Sequence, residues 1–147
     1  MRHLEIGGGS NYDGEFNLDP VHGTGEYKQR IQDWTPNSKF DTARASHVME
    51  HIPAADRVVA MNTIHSALVS GGTFEIIVPL VGAYGRLIDN YRAWADPTHV
   101  SYWWMPESFE YFTGQVGADA DYGIYLWSLV EQEVRDSWEG RCVLMKP

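Results

Sequence analysis

The chain has 147 residues, a formal net charge of −9, 44% hydrophobic and 21% charged residues. A domain near this size buries roughly 70% of the surface its unfolded chain exposes, so a true core needs no disulfide or metal. The single cysteine, Cys142, excludes an intrachain disulfide, and the acidic balance excludes a general nucleic-acid binder, which needs a basic footprint. Arg86 and Arg92, the nearest thing to a basic patch, read as solvated surface. No apolar run approaches the roughly 20 residues that cross a bilayer, and Met1-Arg2-His3 lacks the layout of a signal peptide. The expectation is a cytoplasmic protein without a membrane partner, one domain over residues 1–147.

In chain order, His3–Ile6 is a short strand-like run stopped by three glycines. Glu15–Leu18 is a second, ending at Asp19-Pro20. Arg30–Gln32 is a weak third, ending at Asp33-Trp34, and Phe40–Ala45 a fourth, ending at Ser46-His47. A helix follows, with Pro53 and Asp56 suited to its first turn and Val58, Met61, Ile64 and Leu68 recurring at helical spacing. Gly71-Gly72 is placed to stop it. Thr73–Val78 is the clearest strand, ended by Pro79, and strand, helix, strand in this order predicts a parallel βαβ unit. Leu80–Val100 reads as a long loop with one helix at most. Pro106–Thr113 reads as a short helix, and Tyr122–Val134 with Arg141–Met145 as a terminal antiparallel hairpin turning at Asp136, Ser137 and Gly140.

Ligands of open parallel α/β sheets bind beyond the carboxyl ends of the strands, and distinctive residues stand there. Gly7, Gly8 and Gly9 permit a sharp turn and a close approach of ligand to backbone. Asp19 can accept hydrogen bonds from both hydroxyls of a ribose. Asp33 could accept from an adenine amino group and Trp34 could stack on the ring. Each alone is a common turn residue; together and in order they suit an adenosine. A dinucleotide fingerprint wants a third glycine where Tyr12 stands, opening a helix, and Ser10–Gly14 leaves no room for that helix. No phosphate-binding G-x-x-x-x-G-K-[ST] occurs either. A cofactor without phosphates fits better.

These segments resemble a class I S-adenosylmethionine-dependent methyltransferase of the compact kind with shortened first helices. The matching segments are LEIGGG at 4–9, NLDP at 17–20, QDW at 32–34, FDTARASHVMEHI at 40–52, VSGG at 69–72, FEIIVP at 74–79 and DPTHVSYWWMPESF at 96–109. The resemblance implies a Rossmann-like three-layer α/β sandwich, mostly parallel, with the C-terminal hairpin as an antiparallel edge. It implies S-adenosylmethionine as cofactor. Glu5 and Gly7–Gly9 would hold its methionine end, Asp19 its ribose, Asp33 and Trp34 its adenine, and Ser46 and His47 would close the site near the sulfonium. The departure from the pattern lies between Ser10 and Asn17, where a full helix is usual.

The aromatic segment from Tyr91 to Phe112 is the candidate acceptor lid, with Phe109 and Phe112 assigned to the core. Within it His99 could serve as base and Asp96 as orienting acid; His51 is the further catalytic candidate. The acceptor is unidentified, a small molecule being favoured. His47-Val48-Met49-Glu50-His51 also spells H-x-x-E-H, an inverted zinc-peptidase pattern. Pro53 leaves little room for the motif helix and no third ligand is placed by sequence, His99 being the only loose candidate, so no metal is expected. Beside methyl transfer stand three alternatives: a non-catalytic binder of S-adenosylmethionine or S-adenosylhomocysteine, a nucleotide-dependent oxidoreductase, and a zinc hydrolase.

Overall fold

The computed structural model describes every residue from Met1 to Pro147. Its elements in chain order are β1 (His3–Ile6), β2 (Asn17–Leu18), β3 (Phe40–Ser46), α1 (Arg57–Ala67), β4 (Leu68–Ala83), β5 (Arg86–Leu87), α2 (Tyr91–Trp94), β6 (Trp103–Met105), α3 (Glu107–Glu110), α4 (Asp119–Tyr122), β7 (Ser128–Arg135) and β8 (Glu139–Met145). The sheet order is β2-β1-β3-β4-β8-β7, with β5 and β6 joined to the far end of β4. The first four strands are parallel, β8 runs antiparallel to β4, and β7 antiparallel to β8. A mostly parallel α/β sheet with an antiparallel C-terminal edge is therefore what the chain builds.

The period of two along each strand decides which face is sealed. Leu4, Ala43, Phe74 and Leu144 stand side by side across four strands, as do Ile6, Ala45, Ile76 and Cys142, and none is more than 2% exposed. Against these rows lie Ala60, Met61, Ile64 and Ala67 of α1, each 0% exposed, with Phe109, Phe112, Trp103 and Trp127 in the same core. The opposite face is polar. Arg44 pairs with Glu75 at 3.1 Å, and Arg141 pairs with Glu75 and, at 2.8 Å, with Glu131. No apolar row is left there to receive helices. Of the three layers expected, the sheet and one helical layer are present, and the shortening of the early helices has removed most of the other.

Four local expectations are corrected. Pro79 does not end β4, which runs on to Ala83 because β5 and β6 pair with its last residues, so strand takes up part of the stretch read as loop from Leu80. Arg30–Gln32 is not a strand: Ile31–Asp33 is a single 3-10 turn packed on α1. The segment has one apolar side chain to bury, Ile31, and a turn buries it to 4% exposure without an edge partner. The helix ends at Ala67, before Gly71, because Leu68 is drawn into extended pairing with Phe40; Gly71, at φ +77°, instead donates its N–H to the Lys146 carbonyl at 2.8 Å. The last hairpin starts at Ser128 and not at Tyr122, because Gly123, in the left-handed region at φ +67°, caps α4. Its turn lies at Asp136 and Ser137, at φ 49° and 62°.

Phe74 and Glu75 are neighbours on opposite faces. Phe74→Ala is expected to cost about 3–5 kcal/mol of unfolding free energy and Glu75→Ala no more than about 1 kcal/mol, measured by urea denaturation. Equal costs would mean that the second face is sealed as well.

Candidate functional site

The chain leaves β1 towards β2 on one side and leaves β3 towards β4 on the other, so the crevice at the carboxyl ends lies between β1 and β3. Gly7 sits at its lip at φ +65°, where a Cβ atom would lie 2.5 Å from Val48 Cγ2. Only glycine lets the two loops stand this close. The glycine run is tied down by side chains from β2 and its end. Gly8 N–H donates to Asn17 Oδ1 at 3.0 Å, Asn17 Nδ2 donates to the Gly9 carbonyl at 3.3 Å, and Gly9 N–H donates to Asp19 Oδ2 at 3.2 Å. Asp19 Oδ1 accepts from the N–H groups of Val21 and His22, both at 2.8 Å. Burial, the largest single influence, opposes ionisation of Asp19. The three backbone donors, of His22, Val21 and Gly9, together outweigh it and hold the carboxyl below its ordinary value.

Beside this loop is a cavity of about 170 Å³ lined by Ile6, Gly7, Leu18, Pro20, Arg30, Ile31, Gln32, Val48, His51 and Ile52. Apolar walls, a glycine backbone at the lip and the neighbours of Asp19 on its wall fit the adenosine half of the expected cofactor. Asp33 and Trp34 do not take the places expected of them. Trp34 is 3% exposed and packs on Tyr27 and Phe40 with ring centroids 5.9 and 6.4 Å away; it is core. Asp33 is exposed and bound to Arg30 at 2.6 Å. Ile31 and Gln32 face the cavity in their stead. Glu5 is 8% exposed, with His3 Nε2 3.2 Å from its Oε2.

A second, open cleft of about 610 Å³ is lined by His47, Pro79, Tyr91, Arg92, Ala95, Asp96, Pro97, His99 and Trp138. Of the Tyr, Trp and Phe rings of the expected lid only Tyr91 lines it. Trp103, Phe109 and Phe112 are core, at no more than 2% exposure, whereas Trp94, Tyr102 and Tyr111 are exposed. Arg92 lies 5.2 Å from the Trp138 ring centroid and 5.5 Å from that of Tyr91, so it is part of this wall and not simple surface. His47, just beyond the half-buried Ser46, holds a strained φ of 56°. Its Nε2 donates to Glu139 at 2.7 Å and its Nδ1 is 3.5 Å from Glu50. Glu50 first and Glu139 after it raise the imidazole above its ordinary value, against burial. Trp138 and Glu139 reach the site from the hairpin; a hairpin motif far along the chain carries no local sign of that.

Between the two cavities lies a cluster. The loop Thr98–Ser101 is laid on Met49–His51. Val100 and Ser101 N–H donate to the Glu50 carbonyl at 2.9 and 3.1 Å, Ser101 Oγ donates to the Met49 carbonyl at 3.0 Å, and His51 Nδ1 donates to the Thr98 carbonyl at 3.1 Å. His99 Nδ1 donates to the Ala93 carbonyl at 3.2 Å. The rings of His51 and His99 meet edge to face, centroids 4.8 Å apart. Asp96 accepts from the hydroxyl and N–H of Thr98 through Oδ1, which holds its carboxyl below its ordinary value, while its Oδ2 is 3.6 Å from His99 Nε2. The structure thus brings His51, His99 and Asp96 together.

A family model described as a methyltransferase domain matches residues 1–111. The chain belongs to that family, the S-adenosylmethionine-dependent methyltransferases. None of the curated proteins compared with it by sequence is significantly similar. Among solved structures it is similar in fold to DhpI, in a complex titled DhpI-SAM-HEP, at 16% identity and a TM-score of 0.64 over 97% of this chain and 77% of that one. It is also similar to 1,6-didemethyltoxoflavin-N1-methyltransferase of Burkholderia thailandensis, at 15% identity and a TM-score of 0.64 over 98% and 70%. Against the N-methyltransferase NodS of Bradyrhizobium japonicum WM9 the identity is 13% and the TM-score 0.50, and the chain covers 82% of itself but spans only 58% of NodS.

Asp19 is held ionised by the fold, so its stabilisation is full above the unfolded value, near 3.9, and is lost as pH falls through the lower folded value. The difference in unfolding free energy between the native chain and Asp19→Asn is expected to be constant from pH 7 to about 5 and to shrink below about pH 4. A difference that grows on acidification would contradict the assignment.

Proposed function

We propose that the chain transfers a methyl group from S-adenosylmethionine to an acceptor held in the cleft of His47, Tyr91, Arg92 and Trp138. The observation that carries this reading is the adjacency of two cavities, one lining residue of each standing with ring centroids 4.8 Å apart. His51 lines the smaller one beside the glycine loop, and His99 lines the larger one. The cofactor, when bound, would supply a methyl carbon on a sulfonium, whose C–S electron pair would stay on sulfur as the acceptor takes the methyl group and gives up its proton.

The residues of the chain divide the remaining work. Glu5 and the backbone of Gly7, Gly8 and Gly9 receive the methionine end. Asp19 receives the ribose through the acceptor capacity its three backbone donors leave free, and Ile31 and Gln32 receive the adenine. Ser46 and His47 bound the sulfonium side. His99 and His51, whose Nδ1 atoms donate to carbonyls, have Nε2 lone pairs available for the acceptor's proton, and Asp96, 3.6 Å from His99 Nε2, favours that ring once it has taken the proton. A cleft of about 610 Å³ lies within the range typical of small-molecule sites, which supports a small-molecule acceptor. No helix is long and apolar enough to cross a membrane. A cytoplasmic location suits the single cysteine, which is fully buried with its thiol pushed up to about 12 by burial.

Calorimetric titration with S-adenosylhomocysteine tests the reading. One saturating site per chain is expected. Asp19→Ala should weaken it at least tenfold, as the loss of a single hydrogen bond to a charged group, about 1.5–3 kcal/mol, implies, while Trp34→Phe should leave it within about threefold. Absence of binding at millimolar ligand would end the proposal. Incubation of the chain and a labelled methyl donor with cell extract then separates transfer from mere binding.

A further inference from the structure

The carboxylate of Glu50 is 1% exposed, and neither of its oxygens has a hydrogen-bond partner. An ionised carboxylate buried without compensation is strongly unfavourable. Its surroundings sharpen the problem. Oε1 lies 3.9 Å from His51 Nε2 and 3.9 Å from His99 Nε2. Both rings have committed their Nδ1–H to backbone carbonyls, of Thr98 and Ala93, so in the neutral form each presents a bare Nε2 lone pair inwards. Two nitrogen lone pairs and an anionic oxygen thus converge within 4.8 Å of one another. His47 Nδ1 also faces Oε1, at 3.5 Å, but lies outside this mutually close group of three ligand atoms.

We propose that Glu50, His51 and His99 form a binding site for one first-row divalent transition cation, with Zn²⁺ the reference ion. Ligating histidines characteristically donate the other ring N–H to a carbonyl or carboxylate, which fixes tautomer and ring plane; both histidines already do so. Two imidazoles with one carboxylate is a donor set for zinc and its neighbours, whereas magnesium and calcium prefer all-oxygen sites. Bonds of about 2.0–2.2 Å in tetrahedral geometry put ligands about 3.4 Å apart, so each ligand atom need shift by no more than about 1 Å. His51, with 40% of its side chain exposed, has room for that. Asp96 Oδ2, 3.6 Å from His99 Nε2, stands beside the site, and His47 Nδ1 lies 3.5 Å from the same Glu50 Oε1. The H-x-x-E-H segment supplies two of the ligands from a turn and not from a helix face. The third comes from the loop after α2, so this is not the geometry of the peptidase motif. A cation here lies between a residue of each cavity lining, His51 of the smaller and His99 of the larger. The two imidazoles then act as ligands and no longer as bases. The inference does not depend on methyl transfer, which the S-adenosylhomocysteine titration tests separately.

The test is titration of the metal-stripped chain with Zn²⁺, and with Co²⁺ for its visible absorption, alongside thermal melting. The expected result is one high-affinity site per chain, a Co²⁺ spectrum of tetrahedral or five-coordinate type, and a melting temperature that rises on adding Zn²⁺. Glu50→Gln, His51→Gln and His99→Gln should each lower the affinity at least tenfold and abolish the rise, while His65→Gln, outside the cluster, keeps both. Glu50→Gln should fold without metal at least as stably as the native chain, because it removes a buried unpaired charge; it therefore remains informative where the histidine variants are unstable. Stoichiometric binding that survives in Glu50→Gln, or no saturable binding in the native chain, would overturn the site.

Discussion

Two parallel strands whose chains depart in opposite directions cannot have their ends bridged by backbone, and everything in this molecule's site follows from that. Ile6 pairs with Ala45. One residue further, β1 turns towards β2, with Gly7 N–H donating to the Leu18 carbonyl at 2.9 Å, while β3 turns towards β4, with His47 N–H donating to the Ile77 carbonyl at 2.8 Å. The gap between these exits is the crevice. Its two walls are glycine on one side and a strained histidine followed by Val48 on the other. The pairing that creates the gap also seals the core beneath it, because the same register aligns Leu4, Ala43, Phe74 and Leu144. Stability and site geometry therefore share one cause.

The shortened segment between β1 and β2 alters how the glycine loop is held. Where a helix N-terminus would present backbone N–H groups to a ligand, this chain uses Asn17 and Asp19 to fix Gly8 and Gly9 directly. Asp19 consequently has two duties, organising the loop and offering remaining acceptor capacity. The same shortening strips most of one face of the sheet of helices. The chain answers with a ladder of charges, Arg44, Glu75, Arg141 and Glu131, that can stand half in water.

What the residues reveal before folding follows periodicity. β1, β3, the α1 stripe of Met61 and Ile64, the βαβ unit and the terminal hairpin were all legible, because each buries side chains at a regular spacing. The short turn at Ile31–Asp33 was not, since one apolar residue serves a turn and a strand alike. Trp34 illustrates a deeper ambiguity: an aromatic after a strand is equally suited to stacking on a ligand or to closing the core, and only the positions of Tyr27 and Phe40 decide for the core. The meeting of Glu50 and His51 with His99 was beyond reach for another reason. It depends on a loop laid across the 3-10 turn by hydrogen bonds between residues about 50 positions apart. Arg92 and Trp138 line the larger cleft in the same way, through tertiary contact without a local signature.

The central claim is that an adenosyl cofactor occupies the crevice between β1 and β3. Backbone amide chemical shifts of the labelled chain, followed during titration with S-adenosylhomocysteine, test it most directly. The account predicts saturable shifts concentrated at Gly7, Gly8, Gly9, Gln32 and Val48, with the amides of β7 unmoved. Saturable shifts confined to the Tyr91–Trp138 cleft or to the charged face of the sheet would contradict it.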